Sequence, residues 1–244
     1  MTRRRAASIH LSLSALVCTA LFLAFWFVLY PSPLFTAVGG REIFLVLLCV
    51  DMVLGPLLTL IVFQDGKKYL RFDLAAIAVV QLVALAYGVH TLWAGRPVYL
   101  AALGHRFDVV MANEVNPEEL VTAKASLPWF GPEWVGTALA TDGAERERIV
   151  LSALAGADYG HFPQHHVPLA TMRDEMLAKS RPIASLTTYN PGRGDEIRLW
   201  LNARGANELN TVFQGLRARS EDMTVILDKR SGDVIGIAPF RPWD

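Results

Sequence analysis

CVDMVLGPLLTLIVF, residues 49–63, interrupts an apolar stretch first with one acid, Asp51, and then with a helix-breaking pair, Gly55-Pro56. It closes the run Ile43–Phe63, which at about 1.5 Å per residue can cross a hydrocarbon core about 30 Å thick. Both interruptions therefore fall at membrane depth. An acid near the bilayer centre costs about 2.5–3.5 kcal/mol even on lenient insertion scales, so it faces a protein interior or a partner. Pro56 cannot donate to the carbonyl of Met52. A polar side chain and an orphaned backbone acceptor are thus expected within about one helical turn of each other.

Working outward, two more apolar runs have the same reach, Ile9–Tyr30 before this one and Leu74–Trp93 after it, and none recurs beyond Arg96. A chain of 244 residues that is 52% hydrophobic is ordinary for a small membrane protein and unusual for a soluble domain. Lys and Arg prefer the cytoplasmic side of short flanks. Arg3, Arg4 and Arg5 precede the first span, and Lys67, Lys68 and Arg71 separate the second from the third, against Arg41 and Arg96 on the opposite side. The expected topology has a cytoplasmic N-terminus and an exported chain after Trp93. In a Gram-negative cell that is the periplasm, with the spans in the inner membrane. The first span exceeds a signal-peptide core, and Tyr30-Pro31-Ser32-Pro33 offers no small-residue cleavage site, so it is read as retained. Phe25, Trp26, Phe27 and Tyr30, with Tyr87 and Trp93, are expected to form an aromatic belt at the exported interface.

The expected fold is a membrane protein: three transmembrane helices (about 9–30, 43–63 and 74–93) within residues 1–95, then a periplasmic α+β domain with antiparallel strands over 96–244. Within the domain, Val98–Ala102 and Phe107–Met111 flank a turn at Gly104 and predict a hairpin. Thr224–Leu227 and Val234–Ile237 predict another, with Thr211–Arg219 as a third strand beside it. Pro117-Glu118-Glu119 opens a helix, and Asp142 caps one whose apolar face is Ile149, Val150, Ala153 and Leu154. Further helices are expected at Thr171–Lys179 and Asp195–Arg204.

Both cysteines, Cys18 and Cys49, sit in spans, which leaves the exported part without disulfide or thiolate chemistry. Residues 97–244 carry 15 Lys/Arg against 19 Asp/Glu, and residues 1–96 carry 8 against 4. A mildly acidic exported half gives no electrostatic case for nucleic acid. His161, His165 and His166 cluster, but Pro163 breaks the helix that would align them and no Cys completes a set, so no metal is assigned. No nucleophile elbow, phosphate loop or dinucleotide glycine pattern occurs, so neither a catalytic residue nor a cofactor is assigned. Asp51 has two readings: a buried acid bonded within the bundle, with Gln81, Tyr87 or His90 of the third span as partners, or a recognition or proton-handling group. Small residues four apart, Gly55 and Thr59, then Ala84 and Gly88, permit close helix approach, for internal packing or for docking another helix. Three spans with one broken helix argue against transport.

The ordered series Asp51-Met52-Val53-Leu54-Gly55-Pro56-Leu57-Leu58-Thr59-Leu60, Lys67-Lys68-Tyr69-Leu70-Arg71-Phe72-Asp73-Leu74, Gln81 through Ala84-Leu85-Ala86-Tyr87-Gly88, Arg96-Pro97-Val98-Tyr99 and Arg106-Phe107 resembles the TfpX/TfpZ family of type IV pilin accessory proteins. The C-terminal hairpin ending Arg241-Pro242-Trp243 is also similar to that family. The resemblance implies an inner-membrane, non-enzymatic protein that works with the major type IV pilin as a chaperone or modulator of pilus assembly. On that reading Asp51, Gly55, Pro56 and Thr59 would line the partner-binding groove, and the partners are the pilin, the lipid bilayer and, more remotely, pilus assembly platform proteins. The main alternative is a structural subunit of that platform which does not bind pilin directly. No role carries over to the three histidines.

Overall fold

The computed structural model describes residues 1–243. Three helical spans run Arg3–Leu29, Gly40–Val62 and Leu70–Ala94. Each starts ahead of its apolar run, because helical hydrogen bonding continues into the polar residues at its end. At the first span, Thr2 caps the helix by accepting from the Arg5 N–H. Alternation of the spans puts Met1 and the 63–69 turn on one side, where the N-terminal ammonium lies 2.8 Å from Asp65. The loop after the first span lies on the other side with residues 97–243. There the Ala37 carbonyl accepts from both the Ser220 N–H (2.8 Å) and the Glu221 N–H (3.1 Å).

The expected aromatic belt is only partly one. Phe27 points outward, but Phe25 and Tyr30 are buried, and the Tyr30 hydroxyl donates to the Leu92 carbonyl at 2.6 Å. A tyrosine offers an apolar body with one donor, and here the donor clasps the first span to the end of the third.

Beyond the spans a single sheet forms from β1 (Pro97–Ala102), β2 (Phe107–Met111), β3 (Glu133–Thr137), β4 (His166–Pro168), β5 (Arg181–Pro182), β6 (Thr211–Arg217), β7 (Met223–Asp228) and β8 (Val234–Ala238). The order is β4-β3-β1-β2-β6-β7-β8, with β5 also on β6. The β1–β2 and β7–β8 hairpins are antiparallel, and Gly104 takes the turn between the first pair at φ +81°. The sheet is nonetheless mixed and not purely antiparallel: β1 pairs with β3 in parallel, and β2 with β6. Parallel neighbours require crossovers. The helix Pro117–Ala123 lies in the first crossover, and the whole excursion 112–210 forms the second.

Asn116 and Asp142 cap their helices through the Glu118 and Glu145 N–H groups. The apolar face expected on Gly143–Leu154 is narrower than its composition suggests: Ile149 is fully buried, whereas Val150 is 55% and Leu154 84% exposed. A helix that the periodicity did not announce, Ile183–Tyr189, buries Ile183 and Leu186. One buried cluster runs from Cys18, Phe25 and Leu34 through Leu92 to Phe107 and Val225. The spans and the sheet therefore share a core.

Candidate functional site

The second span holds its acid in an altered helical register. Cys49–Leu54 is π-helical, and the Gly55 N–H reaches back five residues to the Val50 carbonyl. In that register the next donor would be residue 56, serving the carbonyl of Asp51. Proline has no N–H to give. In this register Asp51 O therefore loses its backbone donor to the proline, as Met52 O does in an α-helical one. Gln81 of the third span supplies the missing donor, its Nε2 lying 3.4 Å from Asp51 O. Gly55 makes room for it: a Cβ there would stand 2.0 Å from Gln81 Nε2. π-bulges within helices are common at functional sites.

The side chain of Asp51 is treated differently from its backbone. The residue is 6% exposed, and its Oδ2 is buried with no hydrogen-bond partner among the described residues. It lies midway along Gly40–Val62, 11 residues from either end. It lines an apolar hollow of about 410 Å³ between the second and third spans, with Leu47, Ala84, Tyr87 and Gly88. A second hollow, about 540 Å³, lies between the first and second spans, walled by Phe22, Trp26, Phe35 and Phe44 with Arg41 at its rim.

The remaining residues singled out in the sequence divide between structure and groove. Pro56 and Gly55 are buried inside the bundle. Thr59 is buried too, its hydroxyl 2.6 Å from His10 Nδ1 of the first span, so its polar group is used internally. Gly88 admits Leu47, whose Cδ1 would lie 2.9 Å from an added Cβ. Of the partners considered for Asp51, Gln81 meets its carbonyl, and Tyr87, 74% exposed, shares its hollow. His90 is exposed on the third span and is not among the residues lining the hollow. The structure thus brings together Asp51, Gly55 and Gln81, and places Tyr87 at the mouth of the hollow.

The three clustered histidines are used separately. His161 Nδ1 lies 3.1 Å from Asp158 O and its Nε2 3.7 Å from Glu114. His165 Nε2 lies 3.2 Å from Glu145, and His166 Nε2 lies 2.9 Å from Gly160 O. Burial pushes the His166 imidazole below its ordinary range, which keeps the ring neutral near pH 7. The Arg148 hydrogen bonds hold the Glu145 carboxyl down at about 2.

Sequence reasoning used Arg96 for topology and as part of a motif, yet it also joins spans to sheet. Its guanidinium lies 4.1 Å from the Trp93 ring centroid. It donates to Trp93 O at 2.9 Å and to Pro128 O at 3.0 Å. The available signal was an arginine placed where a span ends.

No protein-family model and no solved structure matches the chain. Among curated proteins it is 27% identical over 230 residues, 91% of this chain and 90% of the relative, to the fimbrial assembly protein of serogroup I of Dichelobacter nodosus. It is 26% identical over the same coverage to the serogroup E1 protein. With the fimbrial assembly protein of serogroups C1 and C2 it shares 33% identity over 94 residues, 38% of this chain and 72% of the relative.

Proposed function

Because this chain belongs to the family of fimbrial assembly proteins, we propose that it is an accessory protein of type IV pilus assembly that binds the major pilin before polymerisation. The observation that carries the proposal is Asp51: a residue with a buried, unpartnered carboxylate oxygen, midway along a span and lining an apolar hollow between two helices. In hydrocarbon such a group gains most from a donor on another helix. A pilin before assembly is one transmembrane helix carrying an exported head, so it presents a helix to the hollow and a head to the sheet domain. The basic flanks Arg3–Arg5 and Lys67–Arg71 orient the N-terminus to the cytoplasm and the domain to the periplasm, with the spans in the inner membrane. The role is binding and not catalysis.

The test is in-cell photocrosslinking from residue 46 or residue 87, which flank Asp51, with a second probe in the domain. Pilin adducts from both probes, reduced by Asp51→Ala at matched expression, support the reading. Adducts to platform proteins alone would favour a structural subunit of the assembly platform and return Asp51 to internal packing.

A further inference from the structure

β6 is paired on one edge by β7 along its length, but its other edge is shared. β5 takes Val212 and Phe213, and β2 takes Leu216 and Arg217. At Gln214 and Gly215 the ladder is interrupted, and a notch of about 390 Å³ opens there. Its charged lining is entirely basic, Arg106, Lys179, Arg181 and Arg217, with His105 beside them. The acids stand behind this wall and hold it. Arg106 binds Asp108 at 2.8 Å and Asp158 at 3.0 Å, Arg217 binds Asp108 at 2.6 Å, and Lys179 binds Glu175 at 2.6 Å. Arg181 has no carboxylate partner among the described residues. It donates to the Tyr189 hydroxyl at 3.0 Å.

The floor adds a second, independent feature. Gln214 is 2% exposed. Its Nε2 donates to Gly104 O and Met176 O, both at 2.8 Å, which fixes the amide orientation because a flip would set oxygen against oxygen. Its Oε1 is left buried and without a partner. Trp243 forms the far wall. A Cβ on Gly215 would stand 1.8 Å from its ring, and its Nε1–H donates to Asp222 at 3.1 Å.

We infer that this notch is a binding site for a carboxylate borne by a peptide segment, with Arg181 taking the anion and Gln214 Oε1 accepting a neighbouring N–H. An arginine fork with free donors matches a carboxylate. An unpartnered amide oxygen on a residue lining the same notch calls for a donor on the same ligand, which a peptide carries at every residue and a bare anion does not. The gap in the ladder gives an extended segment a place to lie. The site is separate from the Asp51 hollow and does not depend on what occupies that hollow.

The probes are two acetylated tetrapeptides, acetyl-Ala-Ala-Ala-Ala with a free C-terminal carboxylate and acetyl-Ala-Ala-Asp-Ala amidated at its C-terminus, with inorganic phosphate as the competing anion. Binding to the full chain in nanodiscs is read by calorimetry and by the Trp243 indole N–H resonance. At least one peptide should bind, about tenfold more weakly to Arg181→Gln, which is exposed and leaves the fold intact, and Arg181→Lys should recover part of the loss. Preference between the peptides tells a chain terminus from an acidic side chain. Absence of peptide binding, equal binding to Arg181→Gln, or tighter binding of phosphate than of either peptide would overturn the assignment.

Discussion

Replacing Gly55 by alanine tests whether the π-register and Gln81 form one device. The added Cβ would stand 2.0 Å from Gln81 Nε2 and 2.6 Å from its Cδ, where ordinary contact begins near 3.4 Å. The amide must withdraw by about 1.4 Å, and a hydrogen bond already 3.4 Å long does not survive that movement. Overpacking costs about 1–3 kcal/mol. The interhelical hydrogen bond adds about 0.6 kcal/mol, up to about 1.7, as such bonds measure in membrane bundles. Alanine is the better helix former by about 0.5–1 kcal/mol, so on balance Gly55→Ala should destabilise the bundle by about 1–4 kcal/mol. In a Gln81→Ala background the three atoms nearest the added Cβ are gone, and the same change should be close to neutral. Reversible denaturation of the full-length protein in mixed micelles, run as a double-mutant cycle, reads the coupling directly. A cost below about 0.5 kcal/mol for Gly55→Ala, or an equal cost in both backgrounds, would refute the reasoning.

Asp51→Leu removes an unpartnered buried oxygen and should raise the stability of the isolated protein by about 1 kcal/mol while lowering pilin crosslinking; thermal unfolding and the crosslinking yield check the two halves separately. Arg96→Ala loses charge-assisted bonds to Trp93 O and Pro128 O and should cost about 1.5–3 kcal/mol, with faster limited proteolysis after residue 96. Gly215→Ala should expel the Trp243 indole, seen as loss of its hydrogen-bonded N–H resonance. In a carbon-detected glutamate titration, Glu145 should titrate near 2 and return toward 4.5 in Arg148→Gln. Its folded pKa lies below its unfolded value, so its stabilising contribution is present above about 4.5 and fades as pH falls toward about 2.

The parts of this architecture legible in the sequence are those set by local pattern. Three apolar runs, the Pro117 helix start, the Asp142 cap and the β7–β8 hairpin each depend on residues a few positions apart. What escaped reading depends on distant partners. The π-register around Asp51 leaves its carbonyl to Gln81, 30 residues on, and no local pattern announces either the register or that donor. Tyr30 was placed in a belt because interfacial and buried tyrosines share a composition, and only the Leu92 carbonyl distinguishes them here. The parallel pairing of β2 with β6 spans more than a hundred residues. The basic notch draws on residues 105–106, 179–181, 213–217 and 243, no two segments of which are neighbours in sequence.

The junction between spans and sheet constrains what can use both. Tyr30 clasps Leu92, Ala37 O holds two domain N–H groups, Arg96 ties Trp93 to Pro128, and one hydrophobic cluster passes through all of them. These bonds restrain the domain from swinging freely about the bundle. Asp51 lies 11 residues below the domain-side end of its span, about 16 Å at helical rise. A partner helix that satisfies Asp51 must therefore place its donor about 11 residues before the point where it leaves the membrane toward the domain. A donor much nearer that exit would sit beside Tyr87 or Thr91 instead, and the carboxylate would stay unpaired. Moving a single Ser, Thr or Asn along an otherwise apolar client helix and scoring capture position by position would map that depth. An optimum at the wrong depth, or none, would separate the hollow from the recognition role given to it.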